Sequence, residues 1–235
     1  MPSHLIKIND SQDSDNGAVA RRLYELVCRT DFTQPGFALL RLAPDETSTG
    51  QRRLMVQLKE YLSSFHLKER GSKLDWFNMT RFDQKNTTKP HRDGAPSESL
   101  LILGYEPTVV KSNISMADYS KCAYELGLTP DKFLEEFNPM YEKGLELLAP
   151  FTTQISEFDP SFFQILIVNN SSNALSAKEQ KWQGVLHSAI VSKDDAPRII
   201  NSTCVAPSGY IGTETVSYEQ ISDFLESTTI AGSYA

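Results

Sequence analysis

The segment KPHRDGAP, residues 89–96, places a histidine two residues before an aspartate in a polar loop. In an extended chain alternate side chains point to the same face, so His91 and Asp93 would point one way and Arg92 the other. Imidazole and carboxylate groups are ligands for zinc and for non-haem iron. The pair can hold one metal ion, and it is equally compatible with a solvated turn.

A third histidine lies in the predicted strand WQGVLHSAIV, which the turn SKDDAP separates from a further predicted strand. If the two strands form a hairpin, His187 lies opposite roughly Ser202. Arg198, which opens the second strand, would then lie about 13 Å further along the sheet at the usual strand rise. That offset suits a small dianion held between a metal and a guanidinium group, whose fork matches a carboxylate.

The elements that would position these residues can be predicted from hydrophobic periodicity. AVARRLYELVCR and QRRLMVQLKEYLSSF have apolar residues at helical spacing. TPDKFLEEF, with Thr129 as cap, and NPMYEKGLELL, with Asn138 as cap, predict two shorter helices after MADYSKCAYELGL. SYEQISDFLES has the capping-box spacing of Ser217 and Gln220. Strands are predicted for GFALLRL, LDWFNMTRF, LLILGY, TTQISEF, FFQILIVNN, WQGVLHSAIV and RIINSTCVA, and DQKNTTKPHRDGAPSES is predicted to be a loop.

Many short strands between polar turns, with helices beside them, predict a mainly β protein: a barrel or jelly roll with helical support. One domain spanning residues 1–235 is the economical prediction. It would comprise N-terminal helical support (1–73), a jelly-roll core (74–210) with a helical insertion at about 115–149, and a C-terminal helix (217–227).

Composition limits the partners and the compartment. The 23 basic and 30 acidic residues give a net charge of −7, which argues against a sequence-independent nucleic-acid surface. Three widely spaced cysteines predict free thiols in a reducing compartment. The chain shows neither a signal-peptide pattern nor an apolar run long enough for a membrane span, so we expect a cytoplasmic protein. The C-terminal helix is a candidate homodimer contact.

HRD at 91–93, His187 in a late strand and Arg198 further on resemble the iron(II)- and 2-oxoglutarate-dependent dioxygenases. RFDQKNTTKPHRD also resembles the prolyl-hydroxylase-like branch of that family. The resemblance covers the order of elements from about residue 74 to 206. It implies a double-stranded β-helix (jelly-roll, cupin-like) core, with His91, Asp93 and His187 as iron ligands. Arg198 would bind the distal carboxylate of 2-oxoglutarate.

The chain departs from the family pattern at two positions. Many members have a hydroxyl residue where this chain has Ile200, and the prolyl-hydroxylase-like branch often has a tyrosine where Phe82 stands. Ser202 or Thr80 could supply the hydroxyl group instead. Asn78, on the strand face of Thr80, is a further candidate cosubstrate contact, although the sequence does not show which face looks inward.

The resemblance implies that a small-molecule substrate, or a protein side chain, is hydroxylated or otherwise oxidised at an unactivated C–H with release of succinate and carbon dioxide. Related halogenating enzymes have a small residue at the position of Asp93, so its carboxylate favours hydroxylation. The alternative is a non-catalytic, cupin-like barrel that binds a metal or a small ligand. Zinc hydrolysis by the same ligands would leave Arg198 unexplained, and a barrel without metal is a third reading.

Other motifs suggest no chemistry. HRD also begins the protein-kinase catalytic loop, but that loop needs asparagine where this chain has Glu98. His4 and His66 are predicted to be uninvolved. Ser171, Ser172 and Asn173 are predicted to form a simple turn.

Overall fold

The structure is a computed structural model that describes residues 5–7, 16–210 and 216–231. Its described helices are α1 (Asn16–Val27), α2 (Ser48–Arg70), α3 (Tyr119–Glu125), α4 (Pro130–Glu136), α5 (Glu142–Leu148) and α6 (Tyr218–Glu226), with single 3-10 turns at Ala149–Phe151 and Ser208–Tyr210. Its described strands are β1 (Leu5–Lys7), β2 (Phe37–Arg41), β3 (Leu74–Asp83), β4 (Thr88–His91), β5 (Leu100–Tyr105), β6 (Ser112–Ala117), β7 (Thr152–Gln154), β8 (Gln164–Asn169), β9 (Leu186–Val191) and β10 (Ile199–Pro207).

The strands form two sheets. A six-stranded sheet has the order β1-β2-β8-β5-β10-β3, and a four-stranded sheet has the order β4-β9-β6-β7. All the described pairings are antiparallel except that of β1 with β2 and an isolated bridge between Phe82 and Ala231. The prediction of a mainly β fold with helical support is confirmed.

The central strands β8 and β5 of the six-stranded sheet are buried on both faces, which explains their nearly continuous apolar runs, whereas β10 carries the buried polar residues Asn201, Ser202 and Thr203. On β5, Leu100 and Ile102 pack towards α1 and α2, in one core with Leu58 and Leu62 of α2. The alternate residues, such as Leu101, pack towards the four-stranded sheet. The layer between the two sheets is therefore enclosed by apolar side chains, and this is where a site can be kept from water.

Local signals set the helix boundaries. The side chain of Thr47 accepts a hydrogen bond from the amide of Gly50 and caps α2, which ends at Gly71 with φ 76°. Only glycine adopts that left-handed conformation without a steric penalty. The predicted cap at Thr129 and the predicted capping box of Ser217 and Gln220 are confirmed.

Three predictions about elements are wrong. The strands containing His187 and Arg198 do not form a hairpin, because β9 belongs to the four-stranded sheet and β10 to the six-stranded sheet. Ser202 lies opposite Thr80 and Leu103 instead. The loop predicted for residues 83–99 contains β4, and β6 was not predicted at all.

The helix predicted to begin after Asn138 begins later. The Asn138 side chain accepts a hydrogen bond from the amide of Met140 and forms a turn, and α5 starts at Glu142 with Tyr141 in the cap position. The turn uses the polar side chain that would otherwise cap the helix.

The helical segment α3–α5 has its own small core and packs against β6 and β9. Tyr119 and Phe133 are fully buried, and they cluster with Ala117 of β6 and Leu186 of β9. In the described part of the chain no helix is long and apolar enough to cross a membrane.

A buried ion pair joins the end of α1 to the start of this segment. Arg29 donates to both carboxylate oxygens of Asp118, at 2.8 and 2.5 Å, and to the backbone carbonyls of Gln183 and Gln34. Its side chain is 1% exposed and that of Asp118 is 20% exposed.

We expect Arg29→Met to lower the free energy of unfolding by about 3–5 kcal/mol, because Asp118 would lose the cation that neutralises it and the carbonyls of Gln183 and Gln34 would lose this buried donor. Urea denaturation measures this. Arg21→Met is the control: Arg21 is 72% exposed beside Glu25, so its loss should have little effect. Equal stability of the two variants would contradict the prediction.

Candidate metal centre

Two histidines face each other across the β4–β9 pair. His91 ends β4 and lies directly opposite His187. Directly opposed residues on antiparallel strands point to the same face, and the centroids of the two rings are 4.2 Å apart. His187 shares its face of β9 with Ala189 and Val191, which pack in the core between the sheets. The two imidazoles therefore lie at the interior side of the four-stranded sheet.

Asp93, just beyond β4, completes the cluster. Its Oδ1 lies 3.4 Å from Nε2 of His91 and 3.7 Å from Nε2 of His187. One ligand atom from each of the three residues lies within 4.8 Å of the others. The side chains of His91 and Asp93 are 35% and 38% exposed, and that of His187 is 12% exposed. The cluster is thus reachable from solvent on one side and enclosed on the other.

The hydrogen bonding of His91 fixes which nitrogen is available. Nδ1–H donates to the backbone carbonyl of Lys89 at 2.8 Å, so the lone pair of the neutral ring is on Nε2, the atom nearest Asp93. A backbone carbonyl holding the distal N–H is the usual support of a metal-bound histidine. In His187, Nδ1 is buried and has no hydrogen-bond partner among the described residues.

The protonation of the cluster suits cation binding. Burial and the neighbouring His91 together lower the pKa of His187 to about 4, although Asp93 acts to raise it, so this ring is neutral near pH 7. Burial also lowers the pKa of His91, but its hydrogen bonds to Asp93 and Lys89 outweigh burial and leave the pKa above its usual value. Burial raises the pKa of Asp93, while the two histidines lower it more, and the carboxyl stays ionised. Because metal ligands must be deprotonated, a raised pKa of His91 makes metal binding at this cluster weaker as the pH falls.

Asn170 clamps the loop that carries Asp93, and sequence reasoning missed it. Its side chain accepts from the amide of Asp93 at 3.0 Å and donates to the carbonyl of Asp93 at 3.1 Å. Its own backbone carbonyl accepts from Nε of Arg92 at 3.1 Å. Asn170, Ser171 and Ser172 are buried, which a simple turn would not be. A polar run directly after the apolar strand β8 was the available signal.

We expect Asn170→Ala to weaken divalent metal binding by about 10- to 100-fold, the range found when a group supporting a metal ligand is lost. Cobalt(II) titration followed by its visible absorption measures the affinity. Asn173→Ala is the matched control, since Asn173 is an exposed amide in the same segment that bonds only to the carbonyl of Ser97 among the contacts described. Unchanged cobalt affinity in Asn170→Ala would show that the clamp does not position Asp93.

Arg198 is a buried cation on the other sheet, immediately before β10. It is 2% exposed, its Nε donates to Ser112 Oγ at 3.3 Å, and Nη1 donates to Gln84 Oε1. Its Nη2 is buried and has no partner in the described part of the chain. An unpaired buried guanidinium N–H is costly, so this group is suited to an anion.

Tyr105 lies against Arg198. The guanidinium carbon of Arg198 is 5.1 Å from the centre of its ring. Burial raises the pKa of the phenol, the charge of Arg198 acts against this, and the charge of Asp93 adds to it. Tyr105 belongs to the core cluster between the sheets, as do Ala189 and Val191 on the face of β9 that carries His187, so the guanidinium of Arg198 adjoins the interior layer that His187 faces.

The structure places the other predicted cosubstrate contacts on one shared face of the six-stranded sheet. Ser202 is buried and lies in register with Thr80 and Leu103, on the face of β10 that looks towards the four-stranded sheet. The same register puts Asn78, Thr80 and Phe82 on the inward-facing side of β3, which answers the question left by the sequence. Asn78 and Thr80 also line a groove of about 850 Å³ between β3 and α6.

Comparisons with known proteins add little. No protein-family model and no curated protein matches the chain. It is similar to solved structures of the Kdo hydroxylase KdoO, described as a non-heme Fe(II) alphaketoglutarate dependent dioxygenase.

The apo form of KdoO matches at 13% identity and a TM-score of 0.40, over 86% of this chain and 88% of KdoO. The cobalt(II) complex matches at 13% identity and a TM-score of 0.41, over 87% of this chain and 89% of KdoO. The complex with alphaketoglutarate and Fe(III) matches at 13% identity and a TM-score of 0.39, over 86% of this chain and 88% of KdoO. A likeness this weak carries no argument about the present chain, so its own residues must support any function.

Proposed function

We propose that the protein is an iron(II)- and 2-oxoglutarate-dependent dioxygenase, and that its two sheets form a double-stranded β-helix core. The observation that carries the proposal is the cluster of His91, Asp93 and His187. The unpaired Nη2 of Arg198, on the facing sheet, supports the choice of cosubstrate. A metal-binding barrel without turnover needs no such anion site.

The residues present fit iron(II). Two imidazoles and one carboxylate are the ligand set of non-haem iron oxygenases, which leaves further coordination positions open. The cluster comes from β4, β9 and the loop after β4. Among the described residues no fourth histidine, cysteine or carboxylate joins it, so a bound metal would keep positions for other ligands. Neutral His187, ionised Asp93 and the oriented Nε2 of His91 provide the three donor atoms.

The residues present also fit 2-oxoglutarate. Arg198 would bind the distal carboxylate through Nη2, since Gln84 and Ser112 already hold its other nitrogens. Phe82 and Ile200 lack the hydroxyl group that the family often has at these positions. Tyr105 can supply a hydroxyl group there, because Ile200 lies opposite Phe82 of β3 and opposite Tyr105 of β5. Ser202 is a second buried hydroxyl on that face.

The residues of the site would each have a defined role in the proposed reaction. His91, Asp93 and His187 hold the metal, while the carbonyl of Lys89 and the amide of Asn170 keep two of them oriented. Arg198 and Tyr105 orient the cosubstrate, and the apolar residues between the sheets exclude water. Iron with 2-oxoglutarate and oxygen supplies oxidation of an unactivated C–H, with release of succinate and carbon dioxide.

We propose a small molecule as the substrate and hydroxylation as the reaction, because Asp93 occupies the position that halogenating enzymes leave small.

Neither nucleic acid nor membrane is part of the proposal, and α6 is proposed as a homodimer contact. The three buried cysteines, Cys28, Cys122 and Cys204, are free thiols, which supports a cytoplasmic location.

The test is anaerobic addition of iron(II) and then 2-oxoglutarate to metal-free protein. We expect the weak visible charge-transfer band of a 2-oxoglutarate chelate. Iron binding without that band would favour the cupin-like metal-binding barrel. Zinc-dependent hydrolysis without any 2-oxoglutarate binding would favour a hydrolase.

A further inference from the structure

A second cavity lies beside the metal-ligand cluster. Its volume is about 460 Å³, within the range of small-molecule sites. Its deep wall is formed by Phe37, Met116 and Val185, which are buried, and its rim by Phe32 and Phe151. The cavity is thus a chamber between the α1–β2 loop and the ends of β6 and β7, with an apolar deep wall and a rim on which aromatic side chains are mixed with polar and charged ones.

Strand register places this chamber next to His187. Across the four-stranded sheet, His91 is opposite His187, His187 is opposite Met116, and Met116 is opposite Thr153. Opposed residues point to the same face, and neighbouring strands are about 4.8 Å apart. Met116 and Thr153 both line the chamber. It therefore begins one strand away from a metal ligand and extends to about 10 Å from it.

The charges of the chamber cancel. Two cations, Arg29 and Lys121, and two anions, Asp118 and Glu157, line it, so its formal charge is 2 − 2 = 0. Arg29 and Asp118 neutralise each other at 2.5 Å. A charged ligand would lose its hydration without gaining a dedicated counter-ion, so the lining favours an uncharged one.

One polar atom in the lining has no partner. Oε1 of Gln34 is buried and makes no hydrogen bond with any described residue. A buried carbonyl oxygen left unsatisfied costs about 1–3 kcal/mol. A ligand with an N–H or O–H group would remove that cost once the Gln34 side chain turns its Oε1 towards the chamber.

We propose that this chamber is the substrate pocket of the oxygenase, and that the substrate is an uncharged small molecule with a flat apolar body and a hydrogen-bond donor for Gln34. The role of this molecule as a substrate rests on the proposed function, whereas its binding to the chamber does not. Met116 and Val185 would hold the flat body beside His187, and the donor group would point away from the metal.

Ligand-observed NMR on metal-free protein tests the binding, with benzamide as the uncharged probe and benzoate and benzylamine as charged counterparts. We expect benzamide to bind more tightly than either counterpart. Gln34→Leu should weaken benzamide about tenfold, and Thr153→Trp, which fills the chamber from its rim, should abolish binding. Gln154→Trp is the matched control, because Gln154 is the next, equally exposed residue of β7 and points to the other face. No benzamide binding, or binding that survives Thr153→Trp, overturns the proposal.

Manganese(II) separates this proposal from the function it rests on. Bound at the cluster, the paramagnetic ion should strongly broaden the proton signals of benzamide in the chamber, and His187→Ala should remove the broadening. If manganese binds and benzamide binds without broadening, the chamber is not adjacent to the metal, and the pocket proposal fails while the oxygenase proposal stands. If benzamide binds and no metal does, the oxygenase proposal fails, and with it the assignment of the chamber as a substrate pocket.

Discussion

Replacement of Arg198 by methionine is expected to raise the dissociation constant for 2-oxoglutarate by about 100-fold and to leave the affinity for iron(II) or cobalt(II) unchanged. A charge-assisted hydrogen bond of a guanidinium to a carboxylate contributes about 1.5–3 kcal/mol, and 2.7 kcal/mol corresponds to about 100-fold. The split is expected because Arg198 precedes β10 of the six-stranded sheet, and its described side-chain hydrogen bonds go to Ser112 and Gln84 and not to a metal ligand.

Titration of 2-oxoglutarate into the iron(II) protein without oxygen measures the constant. Arg52→Met is the matched control, because Arg52 is also 2% exposed but donates to the carbonyl of Ser227, near α6. If both variants weaken 2-oxoglutarate to the same extent, or if neither does, Arg198 does not bind the cosubstrate.

Replacement of His187 by alanine is expected to weaken cobalt(II) binding by more than about 100-fold, since loss of a supporting group alone costs 10- to 100-fold. His66→Ala is the control histidine. His66 is 3% exposed, and its Nδ1 lies 2.9 Å from the hydroxyl of Tyr24. Its removal should lower stability while cobalt affinity stays unchanged.

Visible absorption of cobalt(II) reports both affinity and ligand geometry, and thermal unfolding reports stability. A His187→Ala variant that still binds cobalt with the wild-type spectrum would place the metal elsewhere. A loss of cobalt binding in His66→Ala would instead mean that binding follows general stability.

The metal ligands were accessible to sequence reasoning because two of them are close together in the chain and the third lies in an apolar strand. His91 and Asp93 are two residues apart, and His187 is the only histidine within a predicted strand. The proximity of the three in space could not be derived, since it depends on β4 pairing with β9. The polar segment TKPH gives no strand signal, and its pairing is imposed by tertiary contacts.

The hairpin was predicted wrongly because consecutive strands with a short turn usually pair. Here the turn after β9 leads the chain into the other sheet, and Arg198 is the first residue beyond it. Nothing in SKDDAP distinguishes a turn within a sheet from a passage between sheets. Likewise, β6 has the sequence SNISMA, in which polar residues with low strand propensity hide the alternation of Ile114 and Met116.

The polar supports of the site were missed for another reason. Asn170 is in a run of asparagine and serine, and such runs are usually exposed turns. Its burial follows from its position between β8 and the Asp93 loop, which only the assembled sheets reveal. Tyr105 was within reach, because the alternation of Leu101, Leu103 and Tyr105 puts its hydroxyl on the face of β5 that looks into the protein.

Between β9 and β10 the chain crosses from the four-stranded sheet to the six-stranded sheet, and this crossing affects how the two sheets can move relative to each other. A molecule that contacts both the metal at His187 and the guanidinium of Arg198 would bridge two sheets whose described strands do not pair with each other. Its binding should suppress relative motion of the sheets, and amide hydrogen exchange would slow in β9 and β10 together.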